Sequence, residues 1–280
     1  MNTWEITVLY YGKIRIPKGA ATPGLDPDVL LDSPYLGFLL RNGQRNILVD
    51  TGIDDRFIID GRAWGGFPAE GGRDFVERAL ADAELDPLDI DTVIYTHLHN
   101  DHAGNSSLFK RARLIFQQKE WRTLLDPLPI MKVRRDYDPG LPAELAQGNC
   151  LAVSGDFEPA EGIRCFVTPG HTPGSQSLAV RTIDGLRILV GDHWHLYCMA
   201  FANRDTLVNL GGERIAITPA PPVYGRFLPS SIIYDYPAWY ESSFRIMAMI
   251  PGDDPRYILP GHEAALLHPG ESSKETGENP

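Results

Sequence analysis

Apolar and polar positions change period several times along the chain, and each change marks an element. Residues 4 to 11 alternate, the two-residue period of a half-buried strand, and residues 13 to 16 continue it or pair with it. Residues 19 to 34, punctuated by Pro23, Gly24 and Pro27, predict a loop. Residues 35 to 40 and 46 to 49 are largely apolar and flank Asn42-Gly43, the dipeptide of a type I′ hairpin. Five glycines with Trp64 and Phe67 make residues 61 to 72 a surface loop, tethered to the body or walling a pocket with its aromatics. From 74 to 85, Phe75, Ala79, Leu80 and Ala83 recur at helical spacing, and Pro87 stops the run.

Residues 91 to 95, β-branched and aromatic, form a buried strand. A strand at 113 to 116 and a helix at 118 to 125 follow. The proline-rich segment to residue 142 reads as irregular; its Lys132, Arg134 and Arg135 are either solvated or face an acidic substrate. A second hairpin joins residues 163 to 168, 176 to 182 and 186 to 190, turning at Asp184-Gly185. Residues 203 to 235 show no clear period. Pro237 suits the first turn of a helix running to Ile250, with Tyr240, Phe244, Met247 and Ile250 on one stripe, and residues 256 to 259 make a last strand. Two blocks of hairpins, each followed by helical segments, predict two β-rich halves packed face to face with helices outside. No linker divides them, so residues 1 to 268 are expected to be one domain and 269 to 280, without a large apolar residue, a disordered tail.

Composition narrows the partners. With 280 residues and 43% hydrophobic content the chain can bury a sizeable core. The 26 Lys plus Arg against 37 Asp plus Glu give a net charge of −11, which opposes binding to nucleic-acid phosphates or an anionic membrane and favours a small-molecule substrate. The first residues show no basic stretch followed by an apolar run, and no segment approaches the ~18 apolar residues of a membrane span. Cys150, Cys165 and Cys198 are odd in number and widely spaced, so no disulfide framework is expected and a cytoplasmic location is the default. Oligomeric state is not legible.

One stretch concentrates coordinating chemistry. Thr96-His97-Leu98-His99-Asn100-Asp101-His102 sets four potential metal ligands within six residues at the end of a buried strand. At strand spacing His97 and His99 point the same way, whereas Asp101 and His102, on the following turn, face a second point nearby. That is a layout for two metal ions. Imidazole nitrogen and carboxylate oxygen bind zinc at about 2.0–2.2 Å, and hydrolytic pairs of ions stand roughly 3.5–4 Å apart. Upstream, Asp50 ends the first hairpin and either caps a helix or orients a metal-bound histidine.

Three further stretches repeat an apolar strand followed by a turn with a ligand: Phe166-Val167-Thr168-Pro169-Gly170-His171, Ile188-Leu189-Val190-Gly191-Asp192 and Tyr257-Ile258-Leu259-Pro260-Gly261-His262. Seven of the eight histidines fall in or beside these four stretches, and His268 stands apart. His-Leu-His-Asn-Asp-His followed in order by His171, Asp192 and His262 resembles the metallo-β-lactamase superfamily over roughly residues 4 to 263. The resemblance implies an α+β fold, a four-layer αββα sandwich with the metals at one edge of two sheets. It further implies that His97, His99 and His171 hold a first ion, that Asp101, His102 and His262 hold a second, and that Asp192 bridges them. Two divalent ions, most simply Zn2+, would ionise a shared water near neutral pH and polarise a substrate carbonyl, with Asp101 relaying a proton to the leaving group.

Within that superfamily a carboxylate at Asp192 disfavours the true β-lactamases, His99 disfavours the flavodiiron branch, and the charge of −11 disfavours RNA processing. Nearly a hundred residues precede the motif, as in the N-acyl homoserine lactonases, and residues 264 to 280 are too short for the C-terminal region of glyoxalase II. A hydrolase opening a lactone or ester is the expected activity; thioester hydrolysis, an iron oxidase and a non-catalytic binding module are the alternatives. Those lactonases carry a substrate-contacting tyrosine shortly after the bridging aspartate. Here the segment reads Asp192-His193-Trp194-His195-Leu196-Tyr197, which makes His195 and Tyr197 the candidates for that contact, with His193 and His195 otherwise donating to nearby carboxylates or carbonyls.

Overall fold

A computed structural model of the chain describes residues 2–268. Seven strands form a first sheet in the order β4-β1-β2-β3-β5-β6-β7: β1 Glu5–Pro17, β2 Leu30–Arg41, β3 Asn46–Val49, β4 Ala69–Glu70, β5 Thr92–Ile94, β6 Arg113–Gln117 and β7 Asn149–Val153. A second sheet runs β14-β11-β10-β9-β8, from β8 Phe157–Ala160, β9 Ile163–Val167, β10 Gln176–Thr182, β11 Gly185–Gly191 and β14 Ile258–Pro260. Between the last two in sequence, β12 Thr206–Val208 and β13 Arg214–Ala216 make a separate ribbon.

The central strands β2, β3 and β5 are apolar on both faces because both faces are covered. On β2 and β3, Leu36, Phe38, Leu40, Ile47 and Val49 point to the second sheet, where they meet Ile163, Cys165, Leu178, Val180 and Leu189. The alternate residues Leu39 and Leu48 point outward into the cluster that Val76 and Leu80 of the helix Arg73–Asp82 complete. On the second sheet, Ala179, Ile188 and Val190 face outward onto Trp239, Ile246 and Met247 of the helix Tyr236–Met247. Helix, sheet, sheet, helix is thus the order of layers, and the αββα expectation holds.

Several local expectations are corrected. Of the two readings of residues 13 to 16, the first holds: they continue the first strand, Glu5–Pro17, past a bulge between Tyr10 and Lys13. The first hairpin pairs Arg41 with Asn46, so its loop has four residues; the Asn42 carboxamide oxygen accepts from the amides of Gln44 and Arg45, replacing the two-residue I′ turn. The segment 126 to 142 contains a helix, Pro129–Arg134, and leads into another, Leu141–Leu145; in each a proline sits in the first turn, where its missing N–H costs nothing. On the last long helix, which ends at Met247, Met247 and the following Ile250 are buried as predicted, but the buried face turns toward Trp239, Ser243 and Ile246, leaving Tyr240 half-buried and Phe244 exposed. The Trp239 indole sets that phase by donating to the His193 carbonyl at 2.8 Å beneath the second sheet. The final strand is Ile258–Pro260, preceded by a 3-10 turn, Pro255–Tyr257. The expectation for residues 269 to 280 lies outside the described residues. Among the described residues no helix is long and apolar enough to cross a membrane, and all three cysteines are free.

Asp156, just before β8, ties this helix to the second sheet through Arg164 at 2.9 Å and Arg245 at 2.5 Å. Burial opposes its ionisation, yet the two guanidiniums hold its carboxyl below the ordinary range. A depressed carboxylate stabilises the fold above its unfolded-chain pKa and loses that contribution as pH falls through the folded value. Asp156→Asn is therefore expected to reduce stability at pH 7 and to flatten its decline at acid pH, measured by urea unfolding from pH 7 to 3. Parallel curves for variant and parent would contradict this.

Candidate metal centre

All four ligand-bearing stretches leave their strands at one end of the sandwich. β5 pairs in parallel with β3, and β11 in parallel with β14, so each delivers its C-terminal turn to the same edge. The two sheets are stitched together there. The Gln176 amide donates to the Thr96 carbonyl at 2.9 Å, and its side chain donates to the Tyr95 carbonyl at 2.7 Å. Gly191 has φ +52°, and a Cβ on it would lie 2.6 Å from Thr96 Oγ1. Only glycine brings the Asp192 turn this close to the His97 segment.

The seven predicted ligands converge. His97, His99 and His171 form one group, and Asp101, His102, Asp192 and His262 a second, with the ligand atoms of each group within 4.8 Å of one another. Asp192 lies between them: its Oδ1 is 3.0 Å from His102 Nε2 and 3.1 Å from His262 Nε2, while its Oδ2 is 3.5 Å from His171 Nε2 and 4.0 Å from His97 Nε2. His99 Nδ1 stands 3.2 Å from His171 Nε2, so both rings face one point. Asp101 reaches the second group from the pocket side, 3.8 Å from His262 Nε2.

The donor set fits divalent cations. His97 Nε2, His102 Nε2 and Asp192 Oδ1 are buried, face the centre and have no hydrogen-bond partner in the protein, and His99 turns its Nδ1 to the same place. Buried polar atoms are almost always partnered, so three orphans converging at one place mark a site built for ions. The opposite ring nitrogens are held by the protein. His102 Nδ1 donates to Asp50 at 2.9 Å, His171 Nδ1 to the Ile232 carbonyl at 2.8 Å and His262 Nδ1 to the Pro34 carbonyl at 2.8 Å. Thr96 Oγ1 donates to Asp50 at 2.7 Å and can accept from His97 Nδ1 at 3.1 Å. Each bond fixes the tautomer that leaves Nε2 with a free lone pair. Of the two readings of Asp50, helix cap or histidine orienter, the structure shows the second.

Electrostatics differ between the groups. Burial, reinforced by neighbouring imidazoles, pushes His97 and His99 well below the ordinary histidine range, and His171 to about 3. Against burial, Asp192, Asp50 and Asp101 hold His102 well above it, and Asp192 and Asp101 raise His262. Asp192, against its own burial, is held well below the carboxylate range by His102, His262 and His195. The first group is therefore already in the neutral form that a cation takes, whereas the second must exchange protons for it.

The residues after Asp192 divide. His195 comes to the centre: its Nε2 is 3.2 Å from Asp192 Oδ2, and its ring stacks on His262 at 5.4 Å. Tyr197 does not. Its hydroxyl donates to the Ile258 carbonyl at 3.1 Å and its ring is buried beneath the second sheet, so the expected substrate contact from Tyr197 is corrected. His193 points to the core, where Nε2 meets Ser243 Oγ at 2.9 Å and the ring stacks on Trp239. The tyrosine that does reach the centre is Tyr35 of β2, 5.9 Å from the His262 ring. Its signal in the sequence was hidden, because an aromatic in a continuously apolar strand reads as core.

The centre forms the floor of a cavity of about 680 Å3. Ile14, Ile16 and Leu31 line one wall, and Phe57, Ile59 and Trp64 the other. Arg62, Arg134 and Arg135 also line it, with the Arg134 guanidinium 5.3 Å above the Trp64 ring. The glycine-rich loop and the basic segment thus both belong to the pocket.

Comparison with known proteins gives a consistent picture. Residues 35–262 match the family model of the metallo-beta-lactamase superfamily. The N-acyl homoserine lactonase AiiA of Bacillus thuringiensis subsp. kurstaki is 29% identical over 197 residues, which span 68% of this chain and 75% of that protein. An N-acyl homoserine lactone hydrolase solved with the product N-hexanoyl-L-homoserine at its catalytic metal centre superposes with a TM-score of 0.73 at 22% identity, covering 97% of each chain. AidC, a dizinc quorum-quenching lactonase, superposes with a TM-score of 0.67 at 17% identity over 92% of this chain and 87% of its own.

Proposed function

The chain belongs to the metallo-beta-lactamase superfamily, and from that premise we propose that it is a di-zinc hydrolase that opens the lactone ring of a small molecule bearing an acyl chain. The observation that carries this reading is the placement of two ligand groups sharing Asp192 on the floor of a largely apolar cavity. Two nitrogen-and-oxygen sites joined by a carboxylate suit zinc, and the relatives named above act on N-acyl homoserine lactones. When bound, two such ions supply Lewis acidity that ionises water near neutral pH and polarises a carbonyl.

The chain's own residues do the rest. His97, His99 and His171 would hold one ion, Asp101, His102 and His262 the other, and Asp192 would touch both. The apolar walls bind the acyl chain and exclude water from it. His195 and Tyr35 flank the floor, where each can donate to an oxygen of the substrate. Asp101, whose side chain keeps 23% of its surface exposed to the cavity, is placed to pass a proton. Water adds its oxygen to the carbonyl carbon, the acyl-oxygen bond of the ring breaks, and the ring oxygen takes the proton, giving a hydroxy acid.

The deciding experiment assays the zinc-loaded chain against lactones, aryl esters and glutathione thioesters, following acid release, with and without a chelator. Chelator-sensitive turnover of acyl lactones is expected; a fully loaded chain that opens none would refute the proposal. The arginines along the cavity favour one second reading, a thioester with a carboxylate-bearing tail, and the same assay separates the two. His195→Ala is expected to lower kcat about a hundredfold while two ions remain bound. Unchanged turnover would remove His195 from the reaction, and loss of an ion would make it a ligand.

A further inference from the structure

Glu120, on the helix Gln118–Leu125, is fully buried, and the chemistry above does not use it. Four donors converge on its carboxylate. The Leu98 amide at 3.2 Å and the Tyr137 hydroxyl at 2.6 Å donate to Oε1, and the Thr172 hydroxyl at 2.7 Å and the Gly174 amide at 3.1 Å donate to Oε2. Leu98 lies between His97 and His99, and Thr172 follows His171. The Tyr137 ring packs edge-on against His99, with centroids 4.8 Å apart. Gly174 makes the approach possible, since a Cβ there would lie 2.2 Å from the Glu120 amide nitrogen.

We propose that Glu120 is the positioning residue of the first ion's site: one carboxylate joins the His97 and His99 strand end to the His171 turn and so sets the spacing of all three imidazoles. The inference rests on the reading of those histidines as ligands. None of the four donors belongs to the second group, so the effect of Glu120 should be confined to one ion. Four donors on two oxygens use every lone pair of an ionised carboxylate; glutamine, of the same shape, would turn an NH2 toward two of them. Tethers that orient ligands typically change metal affinity by about 10- to 100-fold.

The test uses the full chain with Zn2+ and a chromophoric chelator that reports stepwise affinities. Glu120→Gln is expected to weaken one ion about 10- to 100-fold and leave the other unchanged. In a His102→Ala background, which keeps only the first group whole, the remaining ion should weaken by the same factor. Thr172→Val and Tyr137→Phe each remove a single donor and should weaken the same ion by a smaller factor, which keeps the test open if Glu120→Gln does not fold. Affinities equal to the parent's, or equal losses at both ions, would overturn the inference. A parent chain that retains no zinc would overturn the ligand reading itself and this inference with it.

Discussion

Asp192→Ala is expected to reduce kcat/KM by about a thousandfold or more, roughly 4 kcal/mol of barrier, and to leave fewer than two zinc ions per chain. Asp192 alone presents one oxygen to each group, Oδ1 toward His102 and His262 and Oδ2 toward His171 and His97. Without it the two sites lose their common ligand and the negative charge that lets two dications sit side by side. The side chain is 4% exposed and lies among imidazoles, so truncation strips charge from the site without opening the apolar core between the sheets. Metal content by atomic emission, turnover on an acyl lactone and far-UV circular dichroism together distinguish loss of the centre from loss of the fold. A folded variant with two ions and more than a tenth of parental activity would show that Asp192 is no bridge.

The second large effect is expected at Asp50. Its carboxylate takes the Thr96 amide at 2.8 Å, the Thr96 hydroxyl at 2.7 Å and His102 Nδ1 at 2.9 Å, all buried. Asp50 also has φ +61°, a left-handed conformation that asparagine tolerates almost as well. Asp50→Asn therefore tests the acceptor and its charge while sparing the backbone. An amide cannot satisfy three donors, and each buried donor left unmade costs about 1–3 kcal/mol, so a loss of roughly 2–3 kcal/mol is expected. For a chain of this size that lowers Tm by roughly 5–10 °C. His102 also loses the partner that fixes its tautomer, and zinc affinity should fall about 10- to 100-fold. Calorimetry of the metal-free chain separates the first effect from the second, and a metal-free variant as stable as its parent would contradict the assignment.

What could be read from the chain beforehand follows from where the chemistry sits. His97, His99, His102, His171, Asp192 and His262 each follow a run of apolar residues, and a strand whose faces are both buried must deliver its next turn to a sheet edge. Directions beyond the Asp192 turn were not readable. Asp192 and His195 face the same point, whereas Tyr197, two residues on, opens the short helix Tyr197–Ala200 and is carried beneath the sheet. The orienting carbonyls of Pro34 and Ile232 had no signal, since any residue supplies a carbonyl. Glu120 was hidden for the opposite reason: a glutamate on a short amphipathic helix reads as solvent-facing, and only the arrival of Leu98, Tyr137, Thr172 and Gly174 from distant segments makes it interior.

The ligands are also divided between the sheets. His97, His99, Asp101 and His102 hang from the first, and His171, Asp192 and His262 from the second, so neither group can be completed by one half of the molecule. A cation taken up by either group is thereby a rivet across the seam as well as a reagent. The cohesion of the two halves then rises with the logarithm of free cation once that exceeds its dissociation constant. On the proposed reading, heat tolerance and catalytic competence would share one supply, and starvation for that cation would loosen the sandwich as it silences the site.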